Sequence, residues 1–118
     1  PPLELQARKD RLIKYINNIT TNRKQNEYPL INFKRDENDT LTFQQVVFYE
    51  MHEDGTFDNG TTLEEMLRVS IERLADLNNR FPCKENEEAL SHLKDALNFL
   101  NMRTADREKR GVEGKHQA

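Results

Sequence analysis

Apolar residues recur at helical spacing in the first part of the chain. One face of an amphipathic helix from about Leu3 to Lys24 carries Leu5, Leu12, Ile16 and Ile19. The helix cannot extend past Pro29, because proline lacks the backbone N–H and clashes with the preceding turn. The pattern therefore predicts an N-terminal helix within residues 1–27.

β-Branched and aromatic residues concentrate in the next segment, residues 28–60. The run LTFQQVVFYEM is typical of strands, and Asp54-Gly55 follows it as a signal for a tight hairpin turn. We expect a small antiparallel sheet of about three strands that includes this hairpin.

The clearest helical pattern begins at residue 61. Thr61 and Thr62 are each followed three residues later by a glutamate, which is the capping-box pattern of a helix start. An apolar stripe continues from there until Pro82 breaks it, and a second stripe begins near Lys84. That second stripe consists of Ala89, Leu90, Leu93, Ala96, Leu97 and Leu100. Two stripes joined by a short turn predict an antiparallel helical hairpin over residues 61–110, followed by a tail over 111–118.

The predicted fold class is α+β, in a single domain spanning residues 1–118. The length suits one domain, but 35% hydrophobic and 33% charged residues leave only a thin core. A chain with a thin core often completes it by association, so we expect a homo-oligomer.

Charge and cysteine content narrow the function classes. A net charge of −3 argues against general binding to duplex nucleic acid, which requires a basic face. No apolar run approaches the roughly 20 residues of a membrane span, and no signal-peptide pattern opens the chain. Cys83 is the only cysteine, so no intrachain disulfide can form. These features favour a cytoplasmic location.

Three arginines near the end of the second stripe form the first candidate site. Arg103, Arg107 and Arg110 are spaced i, i+4 and i+7, so they project from one helical face. Guanidinium groups suit phosphate oxygens because each presents a planar fork of donors. The alternative is that cations simply stabilise a helix C-terminus, with Asp106 and Glu108 neutralising them. Spacing alone leaves both interpretations open.

The turn RFPCKEN between the two helices is the second candidate. Phe81 offers an aromatic face to a base, Asn86 offers an amide to a base edge or ribose, and Pro82 stiffens the turn. The alternative is that Phe81 closes the apolar end of the hairpin and Asn86 belongs to the first helical turn. A nucleophilic role for Cys83 is disfavoured, because no histidine adjoins it in sequence.

Two patterns typical of metal sites occur in the second helix of the hairpin, namely Glu85-x-x-Glu88 and Glu88, His92 and Asp95 at i, i+4 and i+7. A magnesium-dependent helical nucleotide pyrophosphohydrolase would need a second acidic pair on a neighbouring helix. The preceding helix offers only Glu72 and Asp76, which are one residue too far apart. No glycine-rich phosphate loop or nucleophile elbow is present either. The sequence therefore predicts no metal site, no cofactor and no catalytic constellation.

The C-terminal residues resemble a known family. The segment NNRFPCKENEEALSHLKDALNFLNMRTADREKRGVEGKH is similar to the helical-hairpin domain of phage proteins that sequester immune nucleotide signals. The shared features are the aromatic-x-C-[RK]-E-N turn, the A-x-x-x-L-x-x-A-L helix and the R-T-x-x-R-x-x-R-G-V-E-G end. The resemblance covers about residues 61–116. The preceding FQQVVFYEMHEDGTFDNGTT resembles the small sheet of the first-described Thoeris anti-defence family, whereas related anti-CBASS sponges share the hairpin without that sheet.

The resemblance implies a sponge, a protein that binds a signal without cleaving it. The expected ligands are cyclic ADP-ribose isomers (gcADPR) made by bacterial TIR proteins, with cyclic di- or trinucleotides at a second site. The resemblance further implies a homo-oligomer, either a dimer or a hexamer, in the cytoplasm of the infected bacterial host. Two alternatives to the sponge remain, namely a magnesium-dependent helical nucleotide pyrophosphohydrolase and a helical-hairpin protein-interaction module.

The resemblance also assigns roles to individual residues. It implies that Phe81 stacks on an adenine, that Asn86 contacts the base or ribose, and that Thr104 adds a hydroxyl donor. The diphosphate would be held by Arg103, Arg107 and Arg110. This chain departs from the family pattern at Phe99, where the family often has tryptophan, and residues 1–40 match no part of it.

Overall fold

The computed structural model describes residues 2–21 and 23–111, apart from the side chains at positions 2, 4, 8, 19 and 20. The chain divides after Val47 into two compact units. The first contains α1 (Pro2–Thr21), β1 (Glu27–Ile31) and β2 (Phe43–Val47); the second contains β3 (Glu50–Met51), β4 (Phe57–Asp58), α2 (Leu63–Arg80) and α3 (Lys84–Lys109). The predicted α+β class is confirmed, while the single domain stays a prediction. The tail motif beyond Gly111 lies outside the described residues.

The first unit joins a helix to an antiparallel β-hairpin. β1 pairs with β2 in a register that places Tyr28 opposite Val46 and Leu30 opposite Gln44. α1 ends at Thr21, earlier than the predicted Lys24. Of the stripe predicted for α1, Leu12 and Ile16 are half-buried, Leu5 is exposed, and the side chain of Ile19 lies outside the described residues. Only part of the predicted apolar stripe is therefore covered by other residues.

Arg23 stabilises the connection between α1 and β1. Its guanidinium lies 3.8 Å from the centroid of the Tyr28 ring, which is cation–π geometry. Its Nη1 also donates to the carbonyls of Lys24 at 3.0 Å and Gln25 at 2.9 Å. One side chain thus ties the loop to the first residues of the strand.

The β3–β4 hairpin forms at the predicted turn. Gly55 has φ +86°, a left-handed conformation that glycine adopts without strain. The N–H of His52 donates to the Thr56 carbonyl at 2.8 Å, and the N–H of Gly55 donates to the His52 carbonyl at 3.0 Å. The prediction of an Asp54-Gly55 turn is confirmed.

The strands form two two-stranded sheets, β1–β2 and β3–β4, where the sequence predicted one sheet of about three strands. Phe48 makes an isolated parallel bridge to Thr61, and the Tyr49 N–H donates to the Thr61 carbonyl at 3.0 Å. Because these two residues pair with Thr61, the β3 ladder begins only at Glu50. The β-rich run in the sequence is continuous, but its hydrogen-bonding partners change along its length.

α2 begins where the capping pattern predicts. Thr62 is the N-cap, and its side chain accepts a hydrogen bond from the Glu65 N–H at 3.1 Å. Of the two threonines in the capping pattern, Thr62 is the one that caps the helix. At the other end, the N–H of Phe81 donates to the Leu77 carbonyl at 2.8 Å before Pro82 ends the helix.

α2 and α3 pack against each other along a seam of half-buried residues. The α3 side of the seam repeats every three or four positions and consists of Asn86, Leu90, Leu93, Leu97, Leu100, Thr104 and Arg107. The α2 side consists of Glu64, Leu67, Ile71, Leu74 and Asn78. The alternating spacing is that of a coiled-coil seam. None of the residues whose burial is described is fully buried, which confirms the thin core expected from composition.

Candidate functional site

One end of the seam is the turn RFPCKEN, and two side-chain amides brace it. Asn78 accepts the Cys83 N–H at 3.1 Å through Oδ1, and Asn86 donates to the Phe81 carbonyl at 3.3 Å through Nδ2. The Phe81 ring remains 71% exposed. Phe81 therefore does not close the apolar end of the hairpin within one chain. The turn instead presents an aromatic face on a braced backbone.

The other end of the seam contains the arginines. Thr104 and Arg107 lie on the seam and are half-buried, whereas Arg103 and Arg110 are exposed on its edge. We use the name arginine face for Arg103, Thr104, Arg107 and Arg110. Arg103 and Arg107 lie in the last two turns of α3, and Arg110 is the C-cap residue that follows Lys109.

The three arginines differ in their surroundings. Arg110 Nε lies 3.0 Å from Asp106 Oδ2, so neutralisation by Asp106 holds for this arginine. Arg103 is exposed and makes no ion pair with another described residue. Its guanidinium donors are therefore accessible, while those of Arg110 are partly used. The three arginines therefore do not have the same free donors, although their spacing in the sequence makes them look alike.

In the structure the acidic residue Glu64 contacts the arginine face, a contact that the sequence did not predict. The hydroxyl of Thr104 donates to Glu64 Oε1 at 3.5 Å, which joins the end of α3 to the start of α2. In the sequence, Glu64 is marked only by the capping pattern. The two residues are 40 positions apart, so no local spacing could have revealed the contact.

A single chain keeps the two predicted halves of the site apart. Asn86 and Arg103 are separated by 17 helical positions, which at about 1.5 Å per residue is about 26 Å along α3. Phe81 and Asn86 therefore lie at one end of the hairpin, and the arginine face lies at the other. No small ligand can span both within one hairpin.

The two flanks of α3 beside the seam differ in polarity. Ala89, Ala96 and Phe99 lie on one flank, the same flank as Arg103, and Phe99 is 66% exposed. The opposite flank is polar, with Ser91, Lys94, Asn98 and Asn101. The first flank is the less polar of the two, although His92, which pairs with Glu88, lies on it between Ala89 and Ala96.

The strongest described ion-pair cluster lies on α2. Arg68 donates through Nε to Glu65 at 2.9 Å and through Nη1 to Glu72 at 2.7 Å, and its Nη2 also pairs with Glu65. Hydrogen bonding to Arg68 lowers the pKa of Glu65, and the Glu65 bond raises the pKa of Arg68. These charges satisfy one another within one helix, as expected for an exposed helical surface.

Three of the acidic residues of the hydrolase hypothesis also pair within their own helices. Glu72 pairs with Arg68, Asp76 Oδ2 lies 3.8 Å from Arg80 Nη2, and Glu88 Oε2 lies 3.9 Å from His92 Nε2. Within residues 2–21 and 23–111, no group of three histidine, cysteine or acidic side chains is arranged to hold a metal ion. The hydrolase hypothesis gains no support from this geometry. None of the helices in the described part of the chain is long and apolar enough to cross a membrane.

The described residues thus contain a helical hairpin with the arginine face at one end and a braced aromatic turn at the other. A family model described as "Acb2/Tad1, hairpin domain" matches residues 44–105, just over half of the chain, and the chain belongs to this family. The family predicted from the C-terminal motifs is therefore confirmed.

The chain is also similar to a protein of a Bacillus phage. The protein named "Thoeris anti-defense 1" from Bacillus phage SBSphiJ7 is 47% identical to this chain over 60 residues. The aligned residues cover 50% of this chain and 42% of that relative, so the match spans less than half of the relative's length.

Proposed function

We propose that this chain is a phage anti-defence sponge that binds a cyclic ADP-ribose isomer and keeps it intact. The observation that carries the proposal is the accessible guanidinium of Arg103 beside half-buried Arg107 on a hairpin of the Acb2/Tad1 family. The guanidinium fork of Arg103 suits the oxygens of a diphosphate, and Arg107 adds a second cation on the same helical face. The name of the Bacillus phage relative supports an anti-defence role directed at Thoeris systems.

The complete site would be formed by two copies of the chain. Phe81 and Asn86 lie about 26 Å from Arg103 along the hairpin, so both groups can contact one ligand only if a second hairpin runs antiparallel to the first. The exposed strip of Ala96 and Phe99 is adjacent to Arg103 and offers a surface for that second hairpin. In this arrangement Phe81 and Asn86 of one protomer would face the base and ribose, while the arginines of its partner would bind the diphosphate.

A sponge requires tight binding and no chemistry. Binding the ground state firmly, without stabilising a transition state further, is sufficient to withhold a signal from its receptor. Enclosure between two protomers would exclude water from the diphosphate and strengthen each arginine contact. The proposed partners are thus the small cyclic signal and further copies of this chain, in the cytoplasm of the infected cell. Cyclic di- or trinucleotides are proposed for a second site.

The test is calorimetric titration with a cyclic ADP-ribose isomer without added metal, followed by heat denaturation and chromatography of the released ligand. A sponge releases the unchanged molecule, a hydrolase releases products, and an interaction module produces no binding heat. Arg107→Ala should abolish capture while the oligomer, followed by light scattering, and the fold are retained.

Lys94→Ala is the matched control for that variant, because Lys94 is an exposed cation on the polar flank of the same helix. It should bind like the unmodified chain. Unchanged affinity in Arg107→Ala would mean that the arginines only stabilise the C-terminal end of the helix.

A further inference from the structure

The first unit contains a groove between α1 and the connection from β1 to β2. Its volume is about 670 Å³, which is within the size range of small-molecule sites. α1 contributes Arg11, Leu12 and Tyr15, and the β1–β2 connection contributes Arg35, Asp39, Thr40 and Leu41. All of these residues precede residue 44, where the family match begins. The groove is therefore formed by residues of the first unit that lie outside the family match.

Local hydrogen bonds hold the wall formed by the β1–β2 connection in a defined shape. The Asp36 carboxylate accepts the N–H groups of Asn38 and Thr40, both at 2.9 Å, and the Asp36 N–H donates to the Thr40 carbonyl at 3.0 Å. Asp39 has φ +58°, the left-handed conformation that such a tight loop requires. A wall of this kind binds a ligand with little loss of loop entropy.

The groove brings together two guanidinium groups. Arg11 is exposed and has no ion pair with another described residue. Arg35 is partly engaged, because its Nη1 lies 3.8 Å from Asp39 Oδ2 and donates to the Asp39 carbonyl at 3.3 Å. Among the lining residues, two are arginines and one, Asp39, is acidic. This local excess of donors favours an anionic group, and a phosphate monoester fits the fork geometry.

The remaining lining residues favour a ring attached to that phosphate. Tyr15 presents an aromatic ring at the groove, and Leu12 and Leu41 are half-buried and supply apolar surface. The Thr40 hydroxyl and the Asp39 carboxylate add polar partners suited to the hydroxyls of a sugar. We infer that this groove binds a phosphate monoester of mononucleotide size, with the phosphate at Arg11 and Arg35 and the ring against Tyr15.

The experiment is a titration of the full chain with adenosine 5′-monophosphate, followed by residue-resolved NMR. Amide shifts should concentrate in residues 11–15 and 35–41. Arg11→Ala should weaken binding about tenfold or more, since it removes charge-assisted hydrogen bonds. Arg35→Lys, which keeps the charge but loses the fork, should weaken binding by a smaller factor.

Lys9→Ala is the control, because Lys9 is two positions from Arg11 and projects from the opposite side of α1. It should bind like the unmodified chain, and adenosine without the phosphate should bind at least about tenfold more weakly. Shifts confined to the hairpin, or affinity unchanged in Arg11→Ala, would overturn the inference. Because the shifts are assigned residue by residue, this outcome does not depend on whether the hairpin binds a cyclic signal.

Discussion

The surroundings of Arg103 and Arg110 predict different losses of ligand affinity when each is replaced, although the two residues look equivalent in the sequence. Arg103 on α3 makes no ion pair with another described residue, whereas the C-cap residue Arg110 has its Nε 3.0 Å from Asp106 Oδ2. A charge-assisted hydrogen bond contributes about 1.5–3 kcal/mol. Arg103→Ala should therefore weaken binding of the cyclic ADP-ribose isomer by about 10- to 140-fold.

A phosphate that binds Arg110 competes with Asp106 for the guanidinium. An exposed ion pair is worth up to about 1 kcal/mol, so the net contribution of Arg110 falls by about that amount. Arg110→Ala should then weaken binding by only about 2- to 30-fold. Asp106→Asn removes the competing carboxylate and should tighten binding, by up to about fivefold.

Calorimetric titration of the three variants beside Lys94→Ala measures these changes, and circular dichroism checks that each variant remains helical. A larger loss for Arg110→Ala than for Arg103→Ala would refute the reasoning. Weaker binding by Asp106→Asn would refute it as well, because Asp106 is expected to compete with the ligand for Arg110.

Three further predictions concern the scaffold. Thr62→Ala removes the side-chain cap of α2 and should lower the free energy of unfolding by about 1 kcal/mol, measured by thermal or urea denaturation; no loss would mean that Thr61 replaces it. Gly55→Ala forces a Cβ into φ +86° with no other atom within 4 Å, so backbone strain alone should cost about 1–2 kcal/mol, visible as faster amide exchange at His52 and Thr56. The lowered pKa of Glu65 means that its stabilising contribution is present above the unfolded-state pKa and is lost as pH falls through the folded-state pKa. Arg68→Ala should raise the Glu65 pKa toward its ordinary value, measured by NMR titration of the carboxyl carbon, and an unmoved pKa would contradict the assignment to Arg68.

Local signals in the sequence determined where most elements begin and end. The Thr-Glu capping pattern predicted the start of α2, Pro82 predicted its end, and Asp54-Gly55 predicted the β3–β4 turn. Each of these signals acts within about four residues, because caps and turns are closed by hydrogen bonds between near neighbours. The C-terminal motifs likewise predicted the family, and the family match over residues 44–105 confirms it.

Only the tertiary structure decided which distant segments of the chain contact each other. The pairing of Thr104 with Glu64 crosses 40 positions, and the division of the β-rich run into two sheets depends on where Thr61 lies. The separation of Phe81 from Arg103 follows from the length and straight continuation of α3, which motif spacing does not express. Arg11 and Arg35 both line the groove because α1 packs beside a loop, and no sequence motif contains the two residues. Such contacts depend on burial and on competition among many partners, so a linear pattern of residues does not specify them.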